Sequence, residues 1–304
     1  MEVLVTGASG FIGAALMSTL RAAGHRPLAA VRGRAVPSGV DGIAWDPAGG
    51  TIDVPALEGI GGVVHLAGAG IGDRRWTAAR KRLVVDSRTR STNLLAATLA
   101  RLRTPPSVFV CGSAVGFYGD RADTVLTEDA DAGDDFTARL CVQWEAAAVP
   151  AAEAGIRVTR IRTGIVLGSR GGMLRRILSP FRLGLGGRLG TGRQYLSWIS
   201  LADETRAILY ILEHPDVGGP ANLTAPNPVT NADFTTALGR ALRRPTLLPT
   251  PLAPLRAVYG SELVDTLLLA SQRAVPGVLT DAGFEFEHQT VDAALTAAFG
   301  RHTG

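Results

Sequence analysis

The stretch EVLVTGASGFIG at residues 2–13 constrains this fold more than any other part of the chain. Glu2–Thr6 reads as a buried strand, and Phe11 to about Ala23 reads as the helix that follows it. Between them runs Thr6-Gly7-Ala8-Ser9-Gly10-Phe11-Ile12-Gly13. Gly7 permits a tight turn, Gly10 lets the backbone approach a pyrophosphate, and Gly13 allows the helix to pack closely on the strand. A pyrophosphate there would rest on free N–H groups at the positive end of the helix dipole. A glycine pattern alone is weak evidence, but its position between strand and helix makes it a dinucleotide loop. Thr6, Gly7, Ser9, Gly10, Phe11, Ile12 and Gly13 are the first candidate cofactor contacts.

Strand and helix go on alternating. Further strands are expected at Arg26–Val31, Gly62–Leu66, Ser107–Cys111 and Arg157–Arg162, with helices at Lys81–Ala100 and 136–154. Continuous apolar strands separated by helices indicate a parallel sheet covered on both faces. The expected fold class is therefore α/β, a Rossmann-type doubly wound parallel sheet with a smaller C-terminal α/β substrate lobe. The dinucleotide-binding domain is expected over residues 1–165 and completed by about 194–215. Glycine- and arginine-rich residues 166–193, together with 216–304, would form the lobe.

The end of the second strand bears on the cofactor. An NAD site places a carboxylate there for the ribose 2′-hydroxyl. This chain instead has Ala30-Val31-Arg32-Gly33-Arg34. The Arg32 guanidinium suits a 2′-phosphate through charge-assisted bonds, which favours NADP(H) over NAD(H). Arg32 and Arg34 as solvated loop charges remain the alternative.

Bulk properties exclude other classes. The net charge of +4 comes from 31 basic against 27 acidic residues, with Lys81 the only lysine and no long basic run. Nucleic acid is not implied as a partner. Cys111 and Cys141 cannot build a disulfide framework and read as reduced thiols of a cytoplasmic protein. The first strand begins at residue 2, leaving no room for a signal peptide, and no apolar run is long enough to span a bilayer.

TGxxGxxG followed by His65-Leu66-Ala67-Gly68 resembles the extended short-chain dehydrogenase/reductases, and in particular their atypical epimerase-like, cell-division-inhibitor-like branch. The resemblance extends through LAGAGI (66–71), DSRTRST (86–92), GSAVGFYG (112–119), DFTARLCVQWE (135–145), RIRTGIVLG (160–168) and SWISLAD (197–203). VPGVLTDAGFEF (275–286) resembles the branch's small C-terminal module of unknown function. The resemblance implies that Leu66, Ala67 and Gly68 lie near the adenosine-side ribose and pyrophosphate. It also implies that Arg162, Thr163 and Gly164 flank the nicotinamide end. Trp76 either packs or belongs to a loop that closes on cofactor or substrate, and Arg188 and Trp198 are further candidate substrate contacts. Asp203 is expected to be a structural anchor. The helices at 81–100 and 136–154 are the superfamily's usual homodimer surface.

The wider superfamily uses a Tyr-x-x-x-Lys pair, in which lysine lowers the tyrosine pKa and tyrosine exchanges a proton with the substrate. This chain has no such pair: four residues before Lys81 stands Thr77, and DDFTARLCVQWE (134–145) contains no tyrosine, lysine or histidine. Ser113 could supply the usual hydroxyl, although counting back from Gly119 puts Ala114 in that slot. Tyr118 is either a general acid or an aromatic lid. Glu128, Asp134, Asp135 and Glu145 are candidate carboxylate bases, with Asp134 or Asp135 reading equally as a helix cap and Glu145 as an arginine's partner. His65 reads as a satisfied residue at a strand end, and no His/Cys/carboxylate spacing suggests a metal. The arginines of 168–193, Arg170, Arg175, Arg176, Arg182, Arg188 and Arg193, either meet an anionic ligand or form a solvated face.

Three functions follow from these residues: an NADP(H)-dependent oxidoreductase or epimerase-like enzyme with non-standard proton transfer, a dehydratase or isomerase of the same class, and a non-catalytic NADP(H)-binding sensor. A purely structural module would need neither the glycine loop nor Arg32.

Overall fold

The first strand, β1 (Glu2–Thr6), is buried at four of its five positions. Its side chains alternate between the two faces of a sheet, with Val3 and Val5 in one core and Leu4 in the other. The computed structural model describes residues 1–33, 36 and 41–300. After the glycine loop, α1 (Phe11–Ala22) turns Leu16, Met17 and Leu20 onto the sheet. The chain then adds β2 (Arg26–Arg32), β3 (Gly42–Asp46) and β4 (Thr51–Ile52), moving outward on one side of β1.

On the other side of β1 come β5 (Gly62–His65), α2 (Ala78–Leu99) and β6 (Val108–Ala114). A short β7 (Val125–Leu126) precedes α3 (Phe136–Ala146), α4 (Val149–Glu153) and β8 (Arg157–Thr163). Next are β9 (Ile165–Leu167), α5 (Gly172–Arg182), β10 (Tyr195–Leu196), β11 (Trp198–Ser200), α6 (Leu201–Glu213) and β12 (Gly219–Leu223). The eight-stranded sheet runs β12-β8-β6-β5-β1-β2-β3-β4. All its neighbours are parallel except β4, which is antiparallel to β3. The order reverses between β1 and β5, and ligands of such sheets bind at the carboxyl ends of the strands at that switch point.

Two cores sandwich the sheet. Leu16 and Leu20 of α1 meet Ile208 and Ile211 of α6 on one face. On the other, Leu95 and Leu99 of α2 meet Phe109 and Trp144. A third core in the C-terminal lobe gathers Leu174 and Phe181 of α5 with Phe234 and Leu238 of α7 (Asn231–Leu242) and Leu295 of α11 (Val291–Phe299). The helices between them are α8 (Leu252–Tyr259), α9 (Ser261–Leu263) and α10 (Gly277–Asp281). No helix among the described residues is long and apolar enough to cross a membrane.

The structure corrects several expected boundaries. The helix expected over 136–154 is two helices, because Pro150 opens α4 and lacks the N–H needed to continue α3. Strands β3 and β4 add to the strands expected from the sequence. GIAWD is short, buries only Ile43 and Trp45, and lies in a Pro/Gly-rich stretch that reads as loop. α2 starts three residues before Lys81 because the Thr77 hydroxyl caps it, accepting from Arg80 N. β12 pairs with β8 as the sheet's edge, so the sheet extends beyond residue 215 into the region expected to be lobe.

Candidate functional site

The glycine loop leaves a cradle that side chains would fill. Gly7 adopts φ +68°, and a Cβ there would lie 3.1 Å from the Leu66 carbonyl. A Cβ on Gly13 would lie 2.1 Å from the Gly7 oxygen, so the helix seats only with glycine at this position. Gly10 caps α1 without a side-chain hydrogen bond, and Ser9 and Gly10 are exposed. The free N–H groups of the first turn therefore face open space, as a dinucleotide diphosphate requires.

Thr6 and His65 hold this edge in shape. Thr6 Oγ1 accepts from the N–H groups of Leu66 and Ala67, both at 3.1 Å, and lies 2.6 Å from His65 Nδ1. Thr6 is fully buried, so its hydroxyl orders the β5 exit and is not presented to a cofactor. His65 Nε2 lies 3.0 Å from Ser91 Oγ, whose own proton goes to the Ser87 carbonyl at 2.7 Å. These bonds assign the ring proton to Nε2, with Nδ1 accepting from Thr6. Burial, with Arg88 nearby, pushes the His65 pKa down to about 3. His65 is thus a satisfied neutral residue.

A cleft of about 890 Å³ opens beside the loop, lined by Ser9, Gly10, Phe11, Ala14 and Ala15 of the α1 side. Arg170, Gly171, Gly172, Arg175, Arg176 and Leu201 close its other wall. The Phe11 ring lies so close to Gly171 that a Cβ there would be 2.3 Å from it, which locks the start of α5 to the loop. Ile12 packs against the core. Arg176 reaches across to the Gly72 carbonyl and Asp73, tying the loop after β5 to α5, and Arg80 reaches the Gly70 carbonyl, tying the same loop to α2. Half-buried Leu66 and Ala67 back this edge, and Arg88 packs under Gly68. Arg32 ends β2 on the same edge of the sheet and is exposed, while Arg34 lies outside the described residues.

Several sequence candidates occupy other places. Trp76 is buried, its Nε1 donates to the Ile71 carbonyl at 2.9 Å, and its ring meets Phe136 edge-on at 4.8 Å. Trp198 is fully buried in the lobe core and donates to the Asn227 carbonyl at 3.0 Å, which corrects its assignment as a substrate contact. Arg188 is exposed and donates to the Thr191 carbonyl at 3.0 Å. Lys81 pairs with Glu262 and lies 4.9 Å from the Phe136 ring centre.

Ser113, Tyr118 and Arg162 do come together, but inside the protein. Arg162 forms two bonds to Glu145, at 2.9 and 3.1 Å, and Ser113 Oγ donates to the same carboxylate at 2.7 Å. Arg162 Nη1 also donates to Tyr118 Oη at 3.1 Å and to the Glu128 carbonyl at 3.0 Å. Tyr118 donates to Asn222 Oδ1 at 2.6 Å, and Asn222 N donates to Glu128 Oε1 at 2.9 Å. Burial raises the Tyr118 pKa, and its hydroxyl is fully engaged, so it is neither a lid nor an open proton donor in this conformation. The guanidinium of Arg162 is likewise turned inward and buried. Asp135 caps α3, accepting from Ala138 N at 2.9 Å and Thr137 Oγ1 at 2.6 Å, so the cap reading holds for it and not for Asp134.

Strand register gives Ser113 and Ala114 different neighbours. Ser113 pairs with Arg162, and Ala114 pairs with Thr163. Neighbouring positions on a strand face opposite sides, so Ser113 points at α3 and Ala114 does not. On the Ala114 side, Thr163 Oγ1 donates to Glu204 Oε1 at 3.0 Å. Glu204 is fully buried, and burial pushes its pKa up to about 8. Sequence reasoning missed Glu204, because an acid in the first turn of a helix reads as an ordinary complement to the dipole.

Asp203, Glu287 and His288 offer ligand atoms within 4.8 Å of one another. Asp203 already accepts from Ser200 Oγ, Arg206 and the N–H groups of Glu287 and His288, at 2.8–2.9 Å. It anchors the C-terminal segment to the sheet.

Sheet order, glycine cradle and bare helix terminus define a Rossmann-like α/β protein with a loop shaped to take a dinucleotide diphosphate. Residues 3–224 match the model of the NAD dependent epimerase/dehydratase family, and residues 250–298 match a domain of unknown function. An epimerase family protein of Mycobacterium bovis is 47% identical over 299 residues, covering 98% of each chain. The human epimerase family protein SDR39U1, solved with NADPH, superposes with a TM-score of 0.89 at 35% identity over 98% of this chain and 99% of that one. UDP-N-acetylglucosamine 4-epimerase from Bacillus cereus shares the fold at 16% identity, with a TM-score of 0.77 and 98% of each chain covered. The chain belongs to the NAD dependent epimerase/dehydratase family.

Proposed function

We propose that this protein binds NADP(H) in preference to NAD(H) and acts on a small molecule as an oxidoreductase or epimerase without a Tyr-x-x-x-Lys pair. The observation that most supports this is the glycine cradle at Gly7, Gly10 and Gly13, which leaves the first turn of α1 open to a cleft bordered by arginines. Exposed Arg32 is the chain's own group for a 2′-phosphate, and the human relative solved with NADPH supports that choice. Bound NADPH would supply a hydride. The first-turn N–H groups would carry the diphosphate, the Ala67-Gly68 backbone would border the ribose, and the backbone of Arg162–Gly164 would border the nicotinamide. Residues 166–193 and the chain after β12 would cover the substrate. Dehydration or isomerisation would use the same arrangement.

A second reading, a non-catalytic NADP(H) sensor, is favoured by the engagement of both the Ser113 and Tyr118 hydroxyls inside the protein. Thermal unfolding with each dinucleotide tests the shared part, since a ligand specific to the folded state raises the midpoint. A shift selective for NADP(H) supports the proposal, and equal or absent shifts overturn it. NADPH consumption with carbonyl and sugar-nucleotide probes then separates the enzyme from the sensor.

A further inference from the structure

Of the two positions read for the superfamily's catalytic hydroxyl, Ser113 and Ala114, Ala114 has Thr163 as its neighbour across the sheet. Both are half-buried at the carboxyl ends of adjacent parallel strands, the edge on which such sheets hold their ligands. Thr163 is not isolated. Behind it stands Glu204 at 3.0 Å, fully buried, with its second carboxyl oxygen lacking any partner among the described residues. A buried carboxylate with one empty oxygen and no cation is costly, and such a group keeps its proton instead.

Among the described residues, burial and the Thr163 hydrogen bond are the influences on Glu204, with no charged partner beside it. Its helix, α6, packs on α1, β6, β9 and β11. Of these, α1 carries only Arg21, exposed in its last turn, while β9 and β11 carry no ionisable side chain. The Cys111 thiol of β6 belongs to the opposite core. On α6 itself, Asp203 is paired with Arg206, and Glu213 with His25. Glu287 and His288, from the segment packed over the start of α6, meet Asp203.

We infer that Glu204 and Thr163 form a two-member proton relay that replaces the missing Tyr/Lys pair, with Thr163 as the donor at the carboxyl edge of the sheet and Glu204 as the proton reserve behind it. This rests on the NADP(H) reading above. In the reductive direction, the Thr163 proton goes to the substrate oxygen as the Glu204 proton goes to Thr163 Oγ1. Thr163 is left unchanged, Glu204 is left as a carboxylate, and bound NADPH supplies the hydride. After product leaves, water returns a proton to Glu204 through the Thr163 hydroxyl. The bond seen here runs from Thr163 to Glu204, and rotation of the hydroxyl reverses it. Burial supports the assignment by moving the Glu204 pKa up to about 8, near the range in which a donor works.

The test needs no substrate. Oxidised nicotinamide carries a positive charge that the reduced form lacks, so an ionised Glu204 beside it favours NADP+ over NADPH. Affinities of the full chain for NADP+ and NADPH should be measured across the pH range bracketing 8. The expected result is a rise of about tenfold in the relative affinity for NADP+ as pH increases, absent in Glu204→Gln. Infrared spectra of the wild type should show a protonated-carboxyl band that disappears over the same range, a readout that survives if the variant does not fold. If both dinucleotides bind but their ratio is independent of pH, or Glu204→Gln keeps the dependence, the relay is overturned and the NADP(H) reading stands. If neither dinucleotide binds, both fall.

Discussion

Ser113 and Glu145 are joined by a 2.7 Å hydrogen bond within the protein, on the face of β6 turned away from Ala114. The same carboxylate grips Arg162 twice, so a serine that reads as catalytic is a spoke of a structural ion pair. Removing one member of such a pair leaves a buried charge uncompensated. Glu145→Gln should therefore lower unfolding free energy by about 3–5 kcal/mol, read from denaturant midpoints. Ser113→Ala should cost only about 1 kcal/mol. Equal effects would mean that the pair is not the centre of this network.

Arg32 is exposed at the end of β2, where the 2′-phosphate of NADP(H) is proposed to lie. A charge-assisted bond contributes about 1.5–3 kcal/mol, or roughly ten- to a hundredfold in affinity. Arg32→Ala should weaken NADPH binding by that factor and leave NADH binding almost unchanged. Titration calorimetry with both dinucleotides decides it, and equal losses would place the arginine elsewhere.

Glu204 makes stability depend on pH with an unusual sign. Its folded pKa, near 8, lies above the ordinary value of 4.5, so between those values the folded state holds a proton that the unfolded chain has released. Its contribution is complete below 4.5 and is lost as pH rises toward 8, at about 1.4 kcal/mol per unit. Glu204→Gln should remove this decline and gain on the wild type as pH increases. Parallel melting curves over the window would refute it.

His65 acts at the opposite end of the scale. Its pKa falls from 6.5 to about 3 on folding, so the unfolded chain binds the extra proton between those values. Stability should drop as pH falls below 6.5, and the loss should continue toward 3. His65→Gln should flatten this acid limb in pH-dependent unfolding measurements while weakening the Thr6–His65–Ser91 chain at neutral pH.

Gly13→Ala should abolish dinucleotide binding before it abolishes the fold. The added Cβ would stand 2.1 Å from the Gly7 oxygen, so the loop must move off the helix. Circular dichroism together with NADPH titration separates the two losses, and undiminished binding would show that the cradle is not the site.

The dinucleotide loop and the parallel strands were legible in the sequence because their signals are local. A strand, three glycines and a helix lie within residues 2–22, and the close approach that requires glycine at residue 13 comes from Gly7 and Ala8 of the same loop. The apolar runs of β1, β5 and β6 show burial on both faces without reference to any partner. Tertiary structure decided the chemistry at the carboxyl edge. Which way Ser113 and Ala114 point depends on strand register, where a slip of one residue exchanges the faces. Tyr118 is taken out of the cleft by Asn222, 104 residues away, and Thr163 is backed by Glu204, 41 residues away. Trp198 is removed from the substrate side by a core assembled from α5, α7 and α11. Such pairings depend on chain segments brought together only by folding, and nothing in the local spacing of either partner records them.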